Sequence, residues 1–588
     1  MFLIANLYLN VLVFLLHLFY VTSDLLLPLA LTADTSDSVI LQPTKDLVSS
    51  TEFDLTPATY FYNKENINLF GPCFLFIGST KPITDYLKDY RFLFDMAKEI
   101  KAAVVFVELR YFGESLPFGV DSDKSLSKLQ FLSTKQILKD CVRLISHIKN
   151  TKIIPYDAHV IAYGSQVGGM LAAWLRLQYS SVVSGALASS APVRMFAEGG
   201  IDIGAYYKAV TNSYHEAGCN VTTISFAFEA IEQLCDTSEG RAYLNQLFNL
   251  EAISSITQKE DFNSLRRYIT HGLTRLAALK YPYETKMSPS GFLPAFAIKK
   301  ACEAVSNNTG SDAQALAKHL HTIVTFYYNP SQTVGAVAQS YPTCIKPDKC
   351  DVPDQSRSLA SLYLNCKELQ FASCSMGMPN DMFPIGCTNQ KFWESTTESK
   401  CTAMFHIMDD TSSEYANLFS VSNQYGFDFS STTNLIFTSS DDPYSVGVID
   451  KQYKEKKVFV LKIDKVGRAQ ELFQPNTCDP ENLVNARYQI VQILKCWARI
   501  SHIGDCQANT LVWDLPAYEP KSNDTICRKI VHGYPWGRST VPVQPYSTIT
   551  TSAAPTDLLT NETNETPNIN SSTTTIAAEY IATEPSAR

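Results

Sequence analysis

Apolar residues in the first third of the chain come in short continuous runs, separated by stretches of helical periodicity. Cys73 to Gly78 (CFLFIG), Ala102 to Leu109 (AAVVFVEL), Val160 to Tyr163 and Gly185 to Ala191 (GALASSA) are each short enough for a buried strand. Between them, Tyr90 to Ile100 and Ser133 to Asn150 read as amphipathic helices, with Ser133 placed to cap the second. Met170, Leu171, Trp174 and Leu175 mark one apolar face of a further helix after the third run. Strands alternating with helices from 70 to 195 predict a parallel, doubly wound sheet. Residues 24 to about 65 are polar and aromatic, and predict two or three edge strands. From 196 to 425 the pattern turns helical. Strand signals return at Asn434 to Phe437 and Val458 to Ile463, before a final helix over Asn482 to Ile500. The class is α/β, a parallel sheet closed from both sides of a helical insert.

Composition and charge narrow the function classes. The chain has 588 residues and a formal net charge of −9, which speaks against general nucleic-acid binding. The block Val11 to Tyr20 reads as part of a signal peptide over residues 1–23; without a basic n-region, a signal anchor is the alternative. No other run of 18 apolar residues exists, so no membrane span is expected in the mature chain. Fifteen cysteines behind an export signal read as disulfides with one odd thiol, and Cys506 with Cys527 is one candidate pair. Cys141 and Cys496 read as core residues of their helices. No cysteine pair has metal-site spacing with histidines, so neither metal nor cofactor is assigned. Sequons at Asn220, Asn307, Asn523, Asn561, Asn564 and Asn570 favour the secretory route, to the exterior or to a lysosomal or other endomembrane lumen. The segments divide as 24–195 and 426–505 for the core, 196–425 for the insert, 506–538 for a cysteine-containing extension, and 539–588 for a Thr/Ser/Pro-rich glycosylated tail. That tail ends without an apolar stretch, so no lipid anchor is expected.

The candidate chemistry lies between the Val160 run and the helix after it. Strand, glycine-framed turn and helix are the context of a nucleophile elbow, G-x-S-x-G, whose strained turn requires small neighbours. Here the five residues are Gly164-Ser165-Gln166-Val167-Gly168, with glutamine at the centre.

Several stretches in the same order resemble the secreted and lysosomal serine exopeptidases of the prolylcarboxypeptidase and dipeptidyl peptidase II type. They are ELRYFGESLPFG (108–119), GGMLAAW (168–174), GALASSAPV (185–193), Tyr281-Pro282-Tyr283 with Leu293-Pro294 and Cys302, Asp381-Met382-Phe383, Asp442-Pro443-Tyr444-Ser445, Asp479-Pro480, Ala486-Arg487 and Trp497. The resemblance implies an α/β-hydrolase fold, with 196–425 as a helical, disulfide-bonded cap. It implies a triad in chain order serine, aspartate, histidine. Carried over, the aspartate falls on Asp442, the serine on Gln166, and the histidine on Ala469 or at most on Arg468. The family's turn after the first central strand is Gly78-Ser79-Thr80-Lys81 here, and the histidine of its first motif is Leu109. The resemblance also implies Cys366–Cys401 and Cys219–Cys374 as cap disulfides.

A carboxamide cannot be activated by a neighbouring base, and alanine moves no proton. The expectation is a non-catalytic relative that binds peptides or another secreted protein. The rival is a weak Pro-X carboxypeptidase or dipeptidyl peptidase that uses Ser165; His502 as a substitute base is a separate alternative. A third reading is a surface glycoprotein whose cleft is irrelevant. Arg110 and Glu114 read as a structural ion pair, with a site pair as the alternative.

Overall fold

The computed structural model of the protein describes residues 42–46, 58–307, 310–330, 343–346, 349–350, 358–369, 371, 373–386, 401, 421–498, 514–519 and 527. The chain divides into units 1–545 and 546–588, and every described residue lies in the first. The segments 1–23 and 539–588, His502, Cys506 and the sequons at Asn523, Asn561, Asn564 and Asn570 lie outside the described residues. Asn220 and Asn307 are exposed.

The sheet has eight strands: β1 (Gln42–Asp46), β2 (Ala58–Asn63), β3 (Cys73–Ile77), β4 (Ala103–Val107), β5 (Val160–Ser165), β6 (Gly185–Ser189), β9 (Leu435–Ser439) and β10 (Val458–Lys462), in the order β1-β2-β4-β3-β5-β6-β9-β10. From β4 across to β10 every pairing is parallel, while β1 and β2 add antiparallel pairings at one edge. Central strands covered on both faces need no polar alternation. Along β3, Phe74 and Phe76 join one apolar core, and Cys73, Leu75 and Ile77 join the other. The first core also holds helix α1 (Phe92–Ile100) and the last helix, α11 (Glu481–Trp497). The second holds α2 (Thr134–Asn150) and α3 (Val167–Gln178). Ser133 caps α2 by accepting the Gln136 N–H at 3.1 Å.

Between β6 and β9 lie helices α4 (Ala205–Glu216), α5 (Val221–Leu234), α6 (Ser238–Leu247), α7 (Phe262–Ala277), α8 (Ala297–Val305), α9 (Ala313–Tyr328) and α10 (Leu359–Lys367). The described residues there also include a short helix (Val421–Tyr425) and a small hairpin, β7 (Thr285–Ser288) with β8 (Gly291–Leu293), but no strand of the main sheet. The fold is α/β-hydrolase-type, with its parallel sheet formed on both sides of this helical stretch.

The cysteines pair partly otherwise than expected. Cys366 bonds Cys401, but Cys219 bonds Cys302 across a Cα–Cα distance of 4.8 Å and not Cys374. Cys374 is itself disulfide-bonded. Cys527 bonds Cys478 rather than Cys506, Cys344 bonds Cys350, and Cys496 sits in a disulfide rather than as a core thiol. Three described cysteines are free and buried, Cys73, Cys141 and Cys235, where one odd thiol was expected. Connectivity is not encoded by spacing, which is why these pairs were not readable.

At the C-terminal end of β5 the chain reverses sharply into α3. Gln166, between them, has φ 51° and ψ −119°, a region L-residues avoid. Its N–H is held by the Ser189 carbonyl at 2.9 Å. A Cβ on Gly164 would stand 2.1 Å from the Gly168 carbonyl oxygen, and one on Gly168 would stand 2.4 Å from that of Ile77. Only glycine permits this approach of helix to strand.

Two outcomes follow from this geometry. Gly168→Ala drives a methyl into backbone and should cost roughly 3 kcal/mol or more, whereas Gln166→Gly removes strain and should add about 1 kcal/mol. Denaturant unfolding of the two variants measures both; equal effects of the same sign would contradict the strained-turn description. Peptide mapping without reduction should recover Cys219–Cys302. Removing that pair should cost about 2–4 kcal/mol in the same unfolding assay.

Candidate functional site

Four segments converge at the C-terminal end of the parallel strands: the β5–α3 turn, the end of β6, the loop after β9 and the loop before α11. The link is Ser189-Ser190. Ser189 holds the backbone of Gln166, while Ser190 Oγ donates to Asp442 Oδ2 at 2.9 Å and accepts from the Ala469 N–H at 3.4 Å. The positions expected for serine, aspartate and histidine are therefore stitched together by two adjacent residues of one strand end.

Asp442 caps the turn Pro443–Gly447, accepting the Tyr444 N–H at 2.8 Å on Oδ1. Its Oδ2 also accepts from Ser440 Oγ at 2.7 Å and from Ser445 Oγ at 3.3 Å. Burial pushes its pKa up, opposed by these hydroxyl donors and by the nearby Arg468 charge. Ala469 is fully buried, with φ 52° and ψ 26°, and offers only a methyl group. None of the hydrogen bonds to Asp442 comes from a histidine.

Ser165 ends β5 and does not reach the apex of the turn. It is buried, and its Oγ shares a 3.1 Å hydrogen bond with the Tyr90 hydroxyl. Burial raises the Tyr90 pKa well above its usual value, so this partner is no base near neutral pH.

The loop carrying Ala469 is pinned from below. Arg487 of α11 pairs with Asp479 at 2.6 Å, both nearly solvent-free, and donates to the carbonyls of Glu471 at 3.0 Å and Gln470 at 2.8 Å. Glu471 is buried and takes Ser189 Oγ at 2.5 Å and the Thr438 hydroxyl on Oε1, while Oε2 lacks a partner. Burial raises its pKa, countered by those hydroxyls. Sequence reasoning missed Glu471, Ser189, Ser190 and Ser440. A lone acid in the segment 466–473 was the available signal for the first, and the serines carried none.

On the far side, Glu108 folds the 108–115 loop. It accepts the Ile83 N–H at 2.9 Å on Oε2, and the N–H groups of Glu114 and Ser115 at 2.7 and 2.9 Å on Oε1. Leu109 beside it is a core residue. Arg110 forks onto Asp140 at 2.6 and 2.8 Å rather than pairing with Glu114, which is exposed on the turn that Glu108 holds. Among the described residues, no three His, Cys, Asp or Glu side chains converge as a metal site would require.

Comparisons with known proteins identify the family of the chain. The family model for serine carboxypeptidase S28 matches residues 50–490. The Caenorhabditis elegans "Prolyl carboxy peptidase like protein 5" is 32% identical over 460 residues, spanning 76% of this chain and 86% of its own. The human "Lysosomal Pro-X carboxypeptidase" is 31% identical over 435 residues, spanning 73% and 81%. With a match that runs from ahead of β2 into the last helix, the chain belongs to the serine carboxypeptidase S28 family.

Proposed function

We propose that this protein is a non-catalytic member of its family, with a cleft that receives peptides between the strand ends and the helical cap of residues 196–425. The observation that carries the reading is the residue at the elbow. Gln166 holds the strained backbone of a nucleophile but has an amide with no lone pair basic enough to attack a carbonyl. The loop facing Asp442 presents Ala469, which cannot relay a proton. Without nucleophile and base, only binding and residual N–H donors remain, worth orders of magnitude less than the complete machinery. Ser165 is a poor substitute, since its hydroxyl is turned toward Tyr90 and no imidazole touches it.

We assign the protein to the secretory or lysosomal lumen, in keeping with its lysosomal relatives, its disulfides and its exposed sequons at Asn220 and Asn307. Buried carboxyls suit an acidic lumen. Glu108, Glu368, Asp381, Asp442 and Glu471 all have pKa values raised by burial. The folded state then holds protons more tightly than the unfolded chain. Each group's contribution is complete below its unfolded pKa and is lost as pH rises through the folded one. His321, pushed down to about 4 by burial, works in the opposite direction, losing stability as pH falls below the ordinary histidine range.

The purified protein should neither hydrolyse prolyl peptides nor react with a fluorophosphonate, and Gln166→Ser alone should remain inactive for want of a base. Stoichiometric labelling of the unaltered protein that disappears in Ser165→Ala would overturn the proposal. For the buried acids, Glu471→Gln removes one proton-linked term. Its stability relative to the parent should improve by roughly 1 kcal/mol or more between pH 5 and pH 8, read by unfolding at both values. A difference that does not change with pH would sink the assignment of a raised pKa to Glu471.

A further inference from the structure

The residue next to Ala469 has no counterpart in the chemistry just described. Arg468 is 5% exposed, yet its Nε and Nη1 find no acceptor, and among the described residues it makes no ion pair. Its backbone is fixed on both sides: the carbonyl accepts from the Tyr281 hydroxyl at 2.6 Å, and the N–H donates to Ala278 at 3.3 Å. The guanidinium is thus held where Tyr90, Tyr281, Asp442 and a second cation, Arg275, lie within electrostatic reach. Asp442 does not neutralise it by contact, because its oxygens are occupied by Ser190, Ser440, Ser445 and the Tyr444 N–H. Tyrosine hydroxyls in so apolar a setting stay protonated and supply no charge. A buried cation with two idle donors is costly unless something fills the gap.

From this we infer that Arg468 is an anion receptor in the cleft and that its occupant is an organic carboxylate. A planar guanidinium matches a carboxylate in shape and charge. The neighbouring charge of Asp442 disfavours a doubly charged phosphate. The carboxylate comes either from a peptide C-terminus or from a free small acid. The first source rests on the peptide-binding reading above, and the second does not.

The test uses the full glycoprotein and three probes: acetate, a peptide ending in Pro-Phe as the free acid, and the same peptide as its C-terminal amide. Calorimetry should find the free acid bound roughly tenfold or more tighter than the amide. Arg468→Gln should abolish that preference, and Arg468→Lys should retain part of it. Acetate should raise the unfolding temperature of the parent more than chloride does at equal ionic strength, and should lose that advantage in Arg468→Gln. Equal binding of acid and amide by the parent, with no advantage of acetate over chloride, overturns the Arg468 site while leaving a peptide cleft in place. Acetate stabilisation without any peptide binding keeps the site, names the small acid as its occupant, and removes the peptide reading. Failure of all three probes overturns both. If Arg468→Gln does not fold, the acid-to-amide and acetate-to-chloride comparisons on the parent decide together.

Discussion

The structure depends on a close backbone approach: the first turn of α3 lies against the ends of β3 and β5 with no room for a side chain at Gly164 or Gly168. That approach throws Gln166 into its left-sided conformation and presents the Gln166 N–H to Ser189. Through the neighbouring Ser190, the same strand end reaches Asp442 and the backbone of Ala469. Packing of glycine on backbone therefore sets the shape of the turn. The residues that would perform a reaction are attached to that shape and do not create it. This separation explains how the geometry of an elbow persists around a glutamine.

Two buried acids and one buried arginine do comparable work on the surrounding loops. Arg487 gathers Asp479 and the carbonyls of residues 470, 471 and 473, so charge-assisted bonds hold the loop before α11 in addition to the core packing of Ala469, Leu472 and Phe473. Glu108 does the same for the 108–115 turn with N–H donors. Glu471 spans the ends of β6 and β9 through Ser189 and Thr438. Removing one partner of such a set leaves the other buried and unpaired, which usually costs more than the bond contributed.

The sheet was readable in the sequence because strands buried on both faces announce themselves as continuous apolar runs. CFLFI, AVVFV and GALAS became β3, β4 and β6 within a residue or two of their expected limits. The elbow was readable because its glycines sit between a strand and a helix. What escaped notice depends on contacts between residues far apart in the chain. Ser189 with Glu471, Ser190 with Asp442 and Arg110 with Asp140 leave no periodic trace, and cysteine connectivity is equally silent. Arg468 was weighed only as an alternative histidine position, since nothing in a sequence says that a cation is buried without a partner.

One covalent feature changes how the C-terminal part of the chain is retained. Cys478 precedes α11 and Cys527 lies well beyond it, and their bond closes a ring that contains the whole helix. A protease that cuts once between those two cysteines would break the polypeptide without releasing either fragment. Even for a cut ahead of the helix, the α11 residues that brace the 466–473 loop, Arg487 among them, would stay on the same covalent molecule while the disulfides of Cys478 and Cys496 were intact. The ring turns a nick ahead of the last helix into one that an intact-mass measurement sees only as the addition of a water.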